Sequence, residues 1–283
     1  MIFDQILDDA ALFPPGEAPA ELAVPAHVEH RRSTRARYVG PFIVPASRAA
    51  QIATLSAVAG GDRLDIALTF SGGPDTVAET LARAAELKHI RVIAVEVAIP
   101  AGLTVPAAVS TLTAAVPESV HAFVEVPRDE RGGEMIAALA DAGLRAKFRT
   151  GGVTADAYPD EPELADAIHR SVAHEVAFKA TAGLHHAVRN TDPATGFEQH
   201  GFLNIIAAVA AAADGAGPDD LAAILGSRDG IALAESVAAF TVQQAADIRR
   251  RFLSFGTCSI VEPLEDLARL GLVPTGVVQG VHA

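Results

Sequence analysis

The sequence predicts a (β/α)8 (TIM) barrel carrying a long helical insertion after its seventh strand, at about residues 184–251. Three observations carry that prediction. Strand-like runs recur about every 25–30 residues, each followed by a helical pattern, the rhythm of repeated βα units. Eight such runs can be counted along the 283 residues. Two consecutive runs, around Lys147 and Lys179, place cationic or polar side chains on one face and apolar ones on the other. Strand side chains alternate faces, so Lys147 shares a face with Arg145 and Arg149, and Lys179 shares one with Ala177 and Thr181. Two neighbouring strands of a closed sheet, with both lysines pointing to its centre, satisfy this pattern. An open doubly wound sheet has the same local grammar and is the alternative.

The first strand is read around residues 9–13, before Pro14-Pro15-Gly16. The second covers residues 38–44 and leads into a helix near Ser47. Residues 64–70 form the third, stopped by Ser71-Gly72-Gly73, and the helix opening at Asp75 puts Val77, Leu81 and Ala84 on one face. Residues 91–99 form the fourth, rich in Val and Ile, and residues 121–126 the fifth, before a helix marked by Met135, Leu139 and Ala142. Between the sixth and seventh strands lies a helix whose Leu164, Ile168 and Val172 recur every four residues. The rhythm then breaks into a polar loop at residues 189–199, an Ala-rich helix from about Leu203 and further helical segments. An eighth strand at residues 252–255 runs through Gly256-Thr257-Cys258-Ser259 into a last helix. There Ser259 and Glu262 have capping-box spacing and Pro263 suits a first turn. The whole chain, 1–283, reads as one barrel domain.

Composition narrows the function classes. Half of the residues are hydrophobic, aromatics are only 5% and Trp is absent, so Ala, Val, Leu and Ile must build the core. A net charge of −13 argues against non-specific binding to nucleic acid, which needs a cationic face. The single cysteine, Cys258, rules out an internal disulfide and suits a reducing compartment. No basic segment precedes an apolar run at the N-terminus, and the apolar stretch at residues 203–213 falls short of the ~20 residues that span a bilayer. A cytoplasmic protein without membrane contact is expected. No Walker-type loop or Gly-x-Gly-x-x-Gly run follows a strand, so no nucleotide cofactor is expected.

In such a barrel the active site lies at the C-terminal ends of the strands. Polar residues collected there are Asp8, Asp9, Thr69, Glu96, Glu125, Lys147, Arg149, Lys179, Thr181, His185, His186 and the turn at 256–259. Two carboxylates, two lysines and an arginine in one mouth make a plausible catalytic set. The alternative is a structural network in which Glu96 and Glu125 neutralise Lys147 and Lys179.

Lys147-Phe-Arg-Thr150-Gly151, Lys179-Ala-Thr-Ala-Gly183 and Gly256-Thr-Cys-Ser259 together resemble the motifs of class I, Schiff-base aldolases of the deoxyribose-phosphate aldolase type. That family carries Lys-x-x-Thr-Gly on its sixth strand, Lys-Ala-x-Gly-Gly on its seventh and Gly-Thr-Ser-Ser after its last. The resemblance spans most of the barrel and rests on these short motifs. It implies Lys147 as the Schiff-base nucleophile, with Lys179 as the second cation that favours its unprotonated form. It implies Glu96 as the proton shuttle, where the family usually has Asp. It also implies backbone N–H groups of Gly256, Thr257 and Ser259 as binders of a phosphate or carboxylate. The cationic neighbours Lys179 and Arg149 are expected to dominate around Lys147 over Glu96 and Glu125. The implied activity is that of a lyase acting on a small anionic carbonyl compound, with Thr150, Gly151, Thr181, His185 and His186 around the substrate and no cofactor.

Arg149 departs from the family, which has a small hydroxyl residue there; a guanidinium at this place suggests an acidic substrate group. The second glycine pair has become Ala182-Gly183, followed by Leu184-His185-His186 and the insertion. A rival expectation is a divalent metal held by His185, His186, His200 and Glu125 in a metal-dependent lyase or hydrolase. A third is a non-catalytic, ligand-binding barrel. The segment from His200 to Asn204 is read as a mouth-lining turn or a helix start. Cys258 shows no evident partner and is expected to be a small buried residue. The Ala-rich helix either covers the barrel or packs on a second copy in a homo-oligomer.

Overall fold

The computed structural model describes residues 2–60 and 63–279. Eight parallel strands close a barrel: β1 (Leu7–Asp9), β2 (Val39–Pro45), β3 (Leu64–Phe70), β4 (Ile90–Val97), β5 (His121–Glu125), β6 (Arg145–Arg149), β7 (Phe178–Thr181) and, after a short hairpin, β10 (Phe252–Thr257). β10 pairs with both β7 and β1, and β1 pairs with β2, which completes the ring. The hairpin strands β8 (Asn190–Thr191) and β9 (Glu198–Gln199) form a separate antiparallel pair. Helices α1 (Ala20–Arg32), α2 (Ala49–Val58), α3 (Val77–Ala85), α4 (Val105–Ala115), α5 (Arg131–Ala142) and α6 (Glu161–Ala173) each connect consecutive strands. The open doubly wound alternative is thereby excluded.

Two apolar layers hold this arrangement. Outward side chains of the strands pack under the helices: Phe148 meets Phe178 at 5.0 Å between ring centroids, and Phe178 meets Phe252 at 5.3 Å. Helix faces answer them with the spacing the sequence shows, for example buried Val77, Leu81 and Ala84 on α3. α6 begins where Asp160 accepts a hydrogen bond from the Glu163 N–H, with proline in the first turn. Inside the barrel a smaller apolar plug of Ile43, Ala67, Ala94 and Phe123 fills the lower interior. Around the C-terminal mouth, polar side chains are interspersed with apolar ones such as Phe13, Ile43 and Phe70.

The insertion holds the hairpin and helices α7 (Phe202–Ala213), α8 (Pro218–Gly226), α9 (Gly230–Ala238) and α10 (Val242–Arg251). α7 is buried along nearly its whole length. It packs against α6, α8, α9, α10 and β10, so the Ala-rich segment is a covering helix of its own chain. The segment from His200 to Asn204 is the start of α7, capped at Gly201, and not a mouth-lining turn. A Cβ at Gly201 would lie 2.4 Å from Val188 backbone, and the chain can pass there only as glycine. Asn204 ties the insertion together, accepting from the Arg189 N–H at 2.9 Å and donating to the carbonyls of Ile224 and Ser227, both at 2.8 Å.

The first strand differs from its expected place: it is Leu7–Asp9, and residues 10–13 turn away from it, with the Phe13 N–H on the Ala10 carbonyl. Two aspartates in a row look unlike a buried strand. Both are accommodated because each finds a partner distant in sequence, Asp8 inside the barrel and Asp9 on His27 of α1 at 2.9 Å. Among the described residues no helix is long and apolar enough to cross a membrane. A last helix pair, α11 (Val261–Arg269) and α12 (Gly276–Gln279), closes the outer layer.

Candidate active site

Alternation along β5, β6 and β7 turns Glu125, Lys147 and Lys179 inward, and the register pairs Glu125 with Lys147 and Lys147 with Lys179. β4 adds Glu96 from the other side. The result is a continuous chain of alternating charge across the barrel. Asp8 and Glu96 both contact the Lys179 ammonium, the latter at 2.5 Å. Glu96 reaches Lys147 Nζ with its other oxygen at 3.2 Å, and Glu125 lies 3.0 Å from the same Nζ. Arg149 approaches Glu125 at 3.9 Å. Ser254 Oγ donates to Asp8 at 2.7 Å.

Burial alone would strip the proton from Lys179, but Asp8 and Glu96 outweigh it and hold the ammonium charged well beyond its ordinary range. For Glu96 burial favours the neutral acid. The ammonium of Lys179, then that of Lys147, reverse this and hold the carboxyl down at about 2. Burial pushes the Asp8 carboxyl up, with Lys179 and Ser254 opposing and Glu96 reinforcing. Glu96 is thus a fixed anion at neutral pH, sandwiched between two amines.

A cavity of about 230 Å³ opens at the C-terminal mouth. Glu96, Glu125, Lys147, Arg149, Thr181 and His185 reach it, and Lys147 is the lysine on its wall. Lys179 is not. It is only 1% exposed and borders a different cavity at the N-terminal end of the barrel. The expectation that both ammonium groups share the mouth is therefore corrected. The two lysines oppose each other across β6 and β7, yet Lys179 is drawn to Asp8. The expectation that cations dominate around Lys147 is also revised, because two carboxylates touch its Nζ and the Lys179 charge is matched by its own partners.

Other residues expected at the site serve its walls. Thr150 is fully buried, and its hydroxyl donates to the Ala182 carbonyl at 2.7 Å, clasping the ends of β6 and β7. Gly151 lets these two segments touch: an added Cβ would lie 2.9 Å from Gly183 Cα and 2.8 Å from Tyr158. Ala182 adopts φ +68°, a left-handed conformation that places it, with Gly183, on the cavity wall. In the turn after β10 only Gly256 and Cys258 reach the cavity. The Ser259 N–H is taken by Thr257 Oγ1 at 3.3 Å, so Thr257 and Ser259 bind each other rather than a mouth ligand. Ser259 Oγ does accept from the Glu262 N–H at 3.3 Å, the half of the expected capping box that forms.

The histidines and Glu125 are not brought together. His185 Nδ1 meets Glu262 at 2.8 Å, and His186, half-exposed and away from the cavity, meets Asp266 at 3.2 Å. His200 is buried, with Nε2 on the Pro159 carbonyl at 2.8 Å, and burial lowers its proton affinity. Glu125 faces Lys147. Among the described residues no three His, Cys, Asp or Glu side chains are grouped to hold a metal. The metal set fails for a simple reason: adjacent residues in an extended run point apart, and each ring has found its own partner.

Sequence reasoning missed two features. Asp8 appears in it only as a polar strand end, whereas it is the main partner of Lys179; the signal was a carboxylate on an inward-facing position of a strand. Cys258 does have a partner: its Sγ lies 3.5 Å from His185 Nε2, with Glu262 behind the imidazole. Burial raises the proton affinity of this thiol. The three residues are more than seventy positions apart in part, and no local pattern joins them.

No family model and no curated protein matches the chain. Among solved structures it is similar to deoxyribose phosphate aldolase from Aeropyrum pernix, described as having a unique tetrameric structure. The match covers 96% of this chain and 92% of that one, at a TM-score of 0.52 and 15% identity. The likeness is remote and is one of fold: a closed (β/α)8 barrel similar to that of deoxyribose phosphate aldolase.

Proposed function

We propose that the protein is an aldolase-type lyase that acts on a small anionic carbonyl compound through a Schiff base on Lys147. The observation that supports this reading is the placement of Lys147 on the wall of the mouth cavity, with Glu125 3.0 Å from its Nζ and open to the same cavity as a proton acceptor. A cavity of about 230 Å³ lies below the ~300–1,000 Å³ typical of pockets for drug-sized ligands, which suits a small substrate.

In the proposed reaction the neutral amine of Lys147 adds to the carbonyl carbon, and the carbonyl oxygen leaves as water. The resulting iminium takes up the electron pair of the bond between its α and β carbons while the β-hydroxyl gives up its proton and departs as a carbonyl, leaving an enamine. Protonation of the enamine and hydrolysis by water free the lysine, and the same steps in reverse form the bond. Glu125 is the acceptor of the ammonium proton and the group that returns it, because it touches Nζ and is open to the cavity. Glu96 serves as an electrostatic anchor for the cationic intermediate, since its carboxyl stays ionised. Arg149, about half-exposed at the mouth, binds the anionic group of the substrate. Thr181, His185 and Gly256 shape the remaining wall. Lys179, fully paired, is a structural counter-ion in this scheme.

Borohydride added during incubation with small phosphorylated or carboxylated aldehydes and ketones tests the reading. A covalent adduct on Lys147, absent in Lys147→Ala, is the expected result. An adduct on Lys179 would keep the chemistry and reverse the roles of the two lysines, whereas none across the panel would refute the reading and favour the non-catalytic barrel. We also propose that copies associate, since the similar solved structure is tetrameric. A monomeric mass by light scattering would remove that part.

A further inference from the structure

The N-terminal end of the barrel holds a second cavity, of about 470 Å³, opposite the mouth. Its wall includes Arg145 and His121, the first residues of β6 and β5, with Arg249 near the end of α10. Two other cations on this wall are already matched by acids: Lys179 by Asp8, and Arg37 by Asp4 at 2.5 Å. Arg145 is not, and Arg249 is offset only through space, by Asp8 and Asp4. Among the described residues neither has a carboxylate within ion-pair distance.

Arg249 spends its donors on backbone, at 2.6 Å from the Phe252 carbonyl and 3.0 Å from that of Asp4. Arg145 sits over the Phe123 ring at 5.8 Å, which orients the guanidinium plane but leaves its charge unmatched. Both guanidiniums are partly desolvated. Burial lowers the proton affinity of Arg145, and that of Arg249 falls to about 10. The chain has 35 acidic and only 22 basic side chains. Arg145 has no matching acid in a chain where acids outnumber bases, and Arg249 is offset only through space, so an anion in this cavity would complete the site.

We propose that this cavity binds a small oxyanion, a phosphate or a dicarboxylate, between Arg145 and Arg249 at the end of the barrel opposite the mouth. The Arg145 guanidinium fork matches either headgroup by paired N–H donors, and Arg249, its donors on backbone, adds positive charge. His121, at the rim, supplies a further ring nitrogen. The inference is independent of the Schiff-base reading, because its test measures binding and not turnover.

Calorimetric titration with inorganic phosphate, and separately with malonate, at constant ionic strength tests it on the full chain. The expected result is one site per chain for at least one of the two, and the tighter titrant identifies the headgroup. Arg145→Met should weaken binding at least tenfold. Arg145→Lys, which keeps the charge and is less disruptive to folding, should weaken it several-fold through loss of the fork. Arg83→Gln, on the exposed face of α3 and away from both cavities, should leave the affinity within about twofold. Loss of binding in Arg149→Gln with retention in both Arg145 variants would place the anion at the mouth and overturn the proposal. Absence of binding by either titrant would overturn it as well.

Discussion

Lys179→Met tests whether the buried charge chain holds the barrel together. Lys179 is 1% exposed and carries two carboxylates on its ammonium, one of them the Glu96 oxygen at 2.5 Å. A Glu96 carboxyl held at about 2, against its ordinary 4.5, contributes roughly 3 kcal/mol at neutral pH. Lys179 is the larger source of that stabilisation. Its removal also leaves Asp8, itself 2% exposed, without an ammonium partner and hydrogen-bonded to the Ser254 hydroxyl. Breaking a buried pair on one side costs about 3–5 kcal/mol, because the remaining charge stays buried. That is the expected loss in urea unfolding at pH 7.

The pH dependence separates this cause from simple loss of packing. In the wild type the Glu96 value is depressed, so its contribution is fully present above the unfolded value near 4.5 and is lost as pH falls through about 2. Between pH 7 and about 5 that contribution is flat. In Lys179→Met two neighbouring buried carboxylates disfavour double ionisation, so the folded state takes up a proton more readily than the unfolded chain. Stability of the variant should therefore rise as pH falls over the same window, and Asp8→Asn added to Lys179→Met should restore much of the loss at pH 7. A cost below about 1 kcal/mol, or a variant whose pH slope matches the wild type, would refute the reasoning.

Two further outcomes are expected. Gly183→Ala should cost about 1–3 kcal/mol in the same unfolding assay, since φ is +71° and the added Cβ would lie 2.9 Å from Tyr158 and 3.1 Å from the Thr150 carbonyl. A wild-type midpoint in that variant would show that the β6 and β7 ends are not in close contact. Iodoacetamide should alkylate Cys258 more slowly at pH 7 than a free thiol, because burial raises its proton affinity. Once alkylated, the protein should lose borohydride trapping on Lys147, since both residues line one cavity. Fast alkylation with trapping intact would contradict both points.

The parts legible in the sequence are those governed by local periodicity. Period-two alternation in β6 and β7 told which way Lys147 and Lys179 face, and period-3.6 spacing told that Val77, Leu81 and Ala84 form the buried stripe of α3. Depth along the barrel axis was not legible. It depends on the stagger between strands and on which acid captures each lysine, and Asp8 lies 171 residues from Lys179. The same limit hid the approach of Cys258 to His185, 73 residues apart, and shifted the first strand, whose aspartates look unlike a core until Lys179 and His27 are in place. The short motif at 256–259 misled in a different way. It marks the turn where the family binds an anion, but here Thr257 closes on Ser259 and Glu262 brings negative charge to the helix start.

Arg149 then becomes more informative than the motif it interrupts. In the structure its guanidinium is divided between the Gly151 carbonyl at 3.0 Å and Glu125 at 3.9 Å, the latter too long for a hydrogen bond. An anionic substrate group is a stronger partner than either. In the proposed reaction, its arrival draws Arg149 away from Glu125 and leaves that carboxylate with Lys147 alone. Glu125, then facing only Lys147, is the carboxylate placed to take the proton of that amine. Glu96 cannot take that role, because Lys179 keeps it ionised on the far side of the same amine. On the proposed reading, a residue that looks like a bulky obstacle beside Lys147 would link recognition of the substrate's charge to release of the attacking amine.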